Sequence, residues 1–163
     1  DFASYTFRTT RNSNEERRFR NLDISYNQTL GFLPELLRGT SVNLSYARTY
    51  ASQRRNGMAP HRISGRLGYA YRRFNGSLNF VWGADRPEGS TYGRYYSQIT
   101  KIDLALNWKL HNYATLFVTG RNIRNAPDLW YQSPPGVEQG KSPYLRQMES
   151  YGANWVFGVR GQF

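Results

Sequence analysis

The sequence predicts an all-β fold, an antiparallel transmembrane β-barrel of which about eight strands lie in this chain. Three observations predict it. Apolar and polar residues alternate in one segment after another, as they do when strands present opposite faces to different surroundings. The connections between these segments are short and long in turn. The apolar content is 39%, yet 16% of the residues are aromatic, with 13 Tyr and 4 Trp. Such half-polar rings suit a membrane interface better than a dry core. A Tyr-rich β-sandwich is the other reading that composition alone allows.

The strands follow in order. The first is expected at 2–9, with Ala3, Tyr5 and Phe7 opposite Ser4, Thr6 and Arg8. The second, at 19–30, sets Leu22, Ile24 and Tyr26 against Asn21, Asp23, Ser25 and Asn27. The third, at 40–50, sets Val42, Leu44 and Tyr46 against Asn43, Ser45 and Ala47. The fourth, at 62–71, sets Ile63, Leu67, Tyr69 and Tyr71 against Arg62, Ser64 and Arg66. The fifth, at 77–84, sets Leu78, Phe80 and Trp82 against Ser77, Asn79 and Val81. The sixth, at 101–110, alternates most cleanly: Ile102, Leu104, Leu106 and Trp108 oppose Lys101, Asp103, Asn107 and Lys109. The seventh, at 113–123, sets Leu116 and Val118 against Thr115, Thr119 and Arg121. The eighth, at 154–163, carries Trp155, Phe157, Val159, Gly161 and Phe163 on one face. Phe117 and Val156 interrupt the polar face.

Turns are expected at 31–39, 72–76 and 111–112, and long polar loops at 11–18, 51–61, 85–99 and 122–152. Outer-membrane barrels have short periplasmic turns and long outer loops. In the first of these turns, Pro34-Glu35-Leu36-Leu37 can start one helical turn, with proline at an early helical position. Aromatic residues gather toward both strand ends: Tyr50, Tyr71, Trp82, Trp108, Tyr113, Trp155 and Phe163.

No run approaches the ~18 apolar residues of a membrane helix. The chain opens within a strand pattern rather than with a basic segment and an apolar stretch, so a signal peptide is not expected in it. It reads as a piece of a longer, exported polypeptide. With no Cys there is neither a disulfide nor a thiolate metal site. The net charge of +11, from 22 Lys and Arg against 11 Asp and Glu, favours polyanions or acidic ligands.

Catalysis is not expected. His61 and His111 fall at opposite strand ends and cannot share a metal. No nucleophile motif or phosphate-binding loop occurs, and no cofactor or metal is expected. Arg62, Arg66, Lys101, Lys109, Arg121 and Arg160 fall on the polar face as a basic wall. Guanidinium groups there would attract carboxylate or phosphate; the plainer reading is solvated charge paired with Asp23 and Asp103. Two long loops carry Tyr92, Arg94, Tyr95, Tyr96, Trp130, Tyr131, Tyr144 and Arg146, candidates for contact with a polar, partly planar ligand. Packing of the loops on each other is the alternative role for these rings. Interleaved Arg and Tyr, as in Tyr69-Ala70-Tyr71-Arg72-Arg73-Phe74, also fit a soluble β protein that stacks single-stranded nucleic acid. That reading leaves the alternation unexplained, and no nucleic-acid partner is expected.

The segment Thr119-Gly120-Arg121-Asn122-Ile123-Arg124-Asn125-Ala126-Pro127 resembles the penultimate strand of TonB-dependent receptors, where it leaves the barrel for the last outer loop. Tyr151-Gly152 followed by 155–163 is similar to that family's closing strand with its terminal aromatic. Residues 8–25 and Pro60-His61-Arg62 resemble earlier strand junctions of the same region. The resemblance implies the C-terminal part of a barrel of about 22 strands. It implies active import of a scarce ligand of the siderophore, cobalamin or glycan class through the outer membrane of a Gram-negative bacterium. The implied partners are outer-membrane lipid and lipopolysaccharide, the earlier strands and plug domain of the same protein, the TonB energy-coupling complex and the barrel-assembly machinery. Phe163 would be the assembly signal. The plug domain and signal peptide that the family carries are not expected within these residues. A self-contained eight-stranded barrel with a structural or adhesive role is the alternative. The small inward residues Ser45, Ser64, Gly68, Ser77 and Ala105 argue instead for an arc of a wide barrel.

Overall fold

The computed structural model describes residues 18–51, 57–88, 93–134, 137 and 142–161. They form eleven β-strands in two antiparallel sheets, with no helix among the described residues. The larger sheet has seven strands in the order β1 (Phe19–Thr29), β2 (Thr40–Ala51), β3 (His61–Tyr71), β4 (Phe74–Gly83), β7 (Ile99–His111), β8 (Ala114–Arg121) and β11 (Asn154–Gly161). Each strand pairs with the next of these along the chain, so the sheet is a simple meander. It is open: among the described residues β1 and β11 are its two edges. The strand expected at 2–9 and the terminal Phe163 lie outside the described residues.

Register turns the alternation into two continuous surfaces. Across the middle of the sheet, Tyr26 faces Leu44, Val42 faces Leu67, Leu67 faces Leu78, Leu78 faces Leu104, and Leu106 faces Val118. Phe157 continues the row opposite Val118. The other surface aligns Asn43 with Arg66, Arg66 with Asn79, and Asn79 with Asp103. A slip of one residue in any pair would mix the two surfaces, so the pattern strongly specifies register.

Glycines fit large side chains into the apolar surface. A Cβ on Gly65 would fall on the Phe80 ring and within 2.9 Å of Leu44, and one on Gly120 would come within 2.6 Å of the Trp155 ring. On the polar surface Gly158 makes room for Phe117, over which the Arg160 guanidinium lies 5.5 Å from the ring centre. This accounts for Phe117 among polar neighbours.

The sheet is a single layer. No described apolar side chain in it is buried, and Leu67 at its centre is 47% exposed, while Phe157 on an edge strand is 79% exposed. Among the described residues the one buried large apolar side chain is Tyr95, in the second sheet.

That second sheet runs in the order β10 (Tyr144–Glu149), β9 (Asp128–Gln132), β6 (Arg94–Tyr96) and β5 (Arg86–Pro87). It is built from the two connections expected to be loops, between β4 and β7 and between β8 and β11. At the other end of the large sheet the connections are compact. Arg72 and Arg73 alone separate β3 from β4, and β4 starts three residues earlier than expected, at Phe74. Residues 30–39 form successive tight turns, with Leu33 N–H on Leu30 C=O, Leu37 N–H on Pro34 C=O and Thr40 N–H on Leu37 C=O, and not an α-helical turn.

Candidate functional site: the long-connection end

The segment after β8 shows how the chain enters this region. Asn122 and Asn125 adopt left-handed backbone angles, φ 48° and 50°, which asparagine tolerates better than most residues. The Asn122 side chain accepts from Ala126 N–H at 3.0 Å and donates to Ala126 C=O at 3.1 Å. Its backbone N–H donates to Asp103 Oδ1 at 2.8 Å. The asparagine-rich segment is thus a side-chain-locked turn that redirects the chain from β8 into β9.

Three residues of β6 pair with β9: Arg94 with Gln132, Tyr95 with Tyr131, and Tyr96 with Trp130. Backbone bonds extend the joint, from Ser97 N–H to Leu129 C=O at 2.9 Å and from Ser133 N–H to Gly93 C=O at 2.9 Å. Gly93 has φ 80°, and a Cβ there would meet Ser133 C=O at 3.0 Å, so the close approach requires glycine.

The period of two then sorts the aromatic residues. Pro87, Tyr95, Tyr131 and Leu145 share one face, with Tyr95 and Tyr131 stacked at 5.7 Å. Arg86, Tyr96, Trp130 and Gln147 share the other, where Tyr96 meets Trp130 edge-on at 4.9 Å and Arg86 lies 4.5 Å over Tyr96. Burial, then the charges of Asp85 and Tyr131, raises the Tyr95 hydroxyl pKa above its usual value. Asp128 pins this sheet to the larger one, 3.2 Å from Lys101 of β7 and 3.8 Å from Arg86 of β5. Arg146 of β10 lies 3.9 Å from Glu88, just after β5.

The structure therefore brings Arg94, Tyr95, Tyr96, Trp130, Tyr131, Tyr144 and Arg146 into one small sheet, but on two faces. Tyr92 lies outside the described residues. Tyr95, at 7% exposure, packs the loops together. Trp130 is different: its Nε1–H is buried without a hydrogen-bond partner among the described residues.

The basic wall keeps its common face. Arg62, Arg66, Lys101, Lys109, Arg121 and Arg160 all project from the polar surface by register. The expected pairing with Asp23 and Asp103 needs correction. Lys101 binds Asp128, and Asp103 accepts from the Asn122 backbone. Among the described residues Arg62, Arg66, Lys109 and Arg121 have no carboxylate partner. Asp128, in a segment read as loop, supplies the acid that the alternation could not reveal.

A cavity of about 900 Å³ opens where the small sheet meets the ends of β2 and β3. Arg48, Tyr50, Met58, His61, Asp85, Tyr95 and Tyr131 are among its walls. Alternation carried a signal for it: Arg48 is a cation placed in the apolar series of Val42, Leu44 and Tyr46. His61 is the first residue of β3, not part of the preceding loop, and His111 ends β7 at the opposite end of the sheet. Among the described residues no three His, Asp or Glu side chains could hold a metal ion.

Comparison with known protein families, curated proteins and solved structures returns no match to this chain.

Proposed function

We propose that this chain is an arc of a transmembrane β-barrel in a bacterial outer membrane, the C-terminal part of a TonB-dependent receptor that imports a scarce ligand. One observation carries the membrane half of this reading. Among the described residues, the seven-stranded sheet has one surface that is apolar across its middle and one that is polar, and no apolar side chain of either is buried under a second protein layer. In water such an apolar surface would drive association; in a bilayer it is solvated by lipid while the polar surface faces an aqueous lumen.

Dimensions agree. From Ile63 to Tyr71 the apolar side of β3 spans about 27 Å at ~3.4 Å per residue. A tilt of ~40° reduces this to about 20 Å, close to the ~25 Å apolar band of such barrels. Tyr50, Trp82 and Trp155 stand toward one end of the strands and Tyr71, Trp108 and Tyr113 toward the other, as interfacial girdles do. The outer edges of β1 and β11, unpaired among the described residues, suit a sheet continued by further strands. The receptor half rests on the resemblance of 119–127 and 151–163, and on two long connections that carry paired aromatic and basic residues at one end.

Single cysteines along β7, labelled with a nitroxide, test the membrane half. Labels at Ile102, Leu104 and Leu106 should be reached by oxygen, and those at Asp103, Ala105 and Asn107 by a water-soluble nickel chelate. Equal access to the chelate at all six positions would refute it. Loss of ligand uptake when the inner-membrane coupling complex is removed tests the receptor half; uptake that continues unchanged excludes it.

A further inference from the structure

We infer that the cavity at the ends of β2 and β3 binds the phosphorylated headgroup of a membrane lipid. The inference rests on the proposed lipid exposure of the apolar surface. Arg48 and His61 are direct cross-strand neighbours on that surface, and both line the cavity. Among the described residues Arg48 has no carboxylate partner; its guanidinium lies 4.3 Å over the Tyr50 ring, which holds it at the strand end. His61 is oriented by Tyr46, whose hydroxyl is 2.8 Å from Nδ1 and whose ring stacks on the imidazole at 6.1 Å. In the tautomer in which the tyrosine donates to Nδ1, Nε2 carries the proton and is left as a donor. Arg20, the register partner of Tyr50, adds a second cation on the neighbouring strand.

The wall also includes Asp85, which opposes anion binding in part. One of its oxygens is occupied by the Gln98 N–H at 2.6 Å. A cavity of about 900 Å³ is large for a bare phosphate and suits a sugar-phosphate headgroup. Continuity selects an amphiphile over a free anion. Below the cations the same surface runs directly into Tyr46, Ile63, Ile24 and Leu44, where acyl chains would lie. Cations placed where an apolar surface ends match a molecule with phosphate above and hydrocarbon below.

The test uses the full-length protein purified in detergent, with diphosphorylated lipid A, its dephosphorylated counterpart and inorganic phosphate as probes, read by native mass spectrometry. The diphosphorylated form should bind about tenfold tighter than the dephosphorylated one. Arg48→Gln should weaken it about fivefold, the scale of one cation near an anionic surface. Combining it with His61→Gln should weaken binding further, while Arg38→Gln, at the other end of the sheet, should not change it. Equal binding of both glycolipids overturns the proposal. Displacement of the lipid by equimolar inorganic phosphate would assign the site to a free anion and overturn it also. If nitroxides on β7 find no lipid, the membrane reading itself fails; if they find lipid and phosphate selectivity is absent, this site alone fails.

Discussion

The two sheets use the same backbone geometry and solve opposite problems. The seven-stranded sheet keeps its apolar side chains apart from other protein, so Leu67 and Phe157 stay open. The four-stranded sheet folds its rings onto each other, burying Tyr95 against Tyr131 and setting Trp130 against Tyr96. In the first, order comes from long ladders of backbone bonds, broken only near Lys109 and His111 in the described pairings. In the second, with strands of two to six residues, ring packing and ion pairs must supply what short ladders cannot. The stability of the wall should therefore depend on its surrounding solvent, and that of the loop sheet on its own side chains.

The largest expected effect tests the wall. Leu67→Arg puts a charge at the middle of the apolar surface and should cost about 2–4 kcal/mol in vesicles. Ser77→Arg, on the polar surface, should cost less than about 0.5 kcal/mol. Urea unfolding in lipid vesicles measures both, and equal costs would erase the distinction between the surfaces. Tyr95→Ala addresses the loop sheet and should remove about 2–3 kcal/mol of local stability. Hydrogen exchange should quicken at Arg94, Tyr96 and Tyr131 while the amides of β7 stay protected. Exchange that quickens throughout would mean that the two sheets open together.

Asn122→Ala removes both side-chain bonds to Ala126 from a residue in a left-handed conformation, and should cost about 1–2 kcal/mol. Asn122→Gly, which restores only the backbone freedom, should recover part of that loss in the same unfolding measurement. Asp128→Asn should cost about 0.5–1 kcal/mol, because both its ion pairs are partly exposed. The coupling to Lys101→Met should fade in 0.5 M salt. The smallest effect is alkaline. A Tyr95 pKa raised in the folded state stabilises the loop sheet fully below the usual phenol value of about 10, and this is lost as pH rises through the raised value. Tyr95→Phe should flatten the loss of exchange protection above that pH.

The contrast between the sheets also explains what could be read in advance. Each strand of the wall declares itself over eight to thirteen residues, because one side carries apolar and the other polar side chains along its whole length. β2, β3, β7 and β8 began and ended within about two residues of expectation, the usual tolerance of such boundaries. The loop sheet was invisible because its alternation is too short to register and its key pairing, β6 with β9, joins segments more than thirty residues apart. Clustering of Tyr95, Tyr96, Trp130 and Tyr131 was visible as composition, but which rings pack inward was not. Asp128 was overlooked as a counter-charge for the same reason: only the loop pairing carries it to Lys101.

β6 has one neighbour from its own connection, β5, and one from another, β9. An interior strand contributed in this way makes the two connections a single structural unit. Transplanting the 85–98 segment alone onto another β-sheet protein would leave Tyr95 without Tyr131 and Arg86 without Asp128, two rows of side chains shaped for an absent partner. Moving 85–98 together with 122–150 would carry the interlock across intact, so this end of the molecule should be exchanged between proteins in pairs of connections and not one connection at a time.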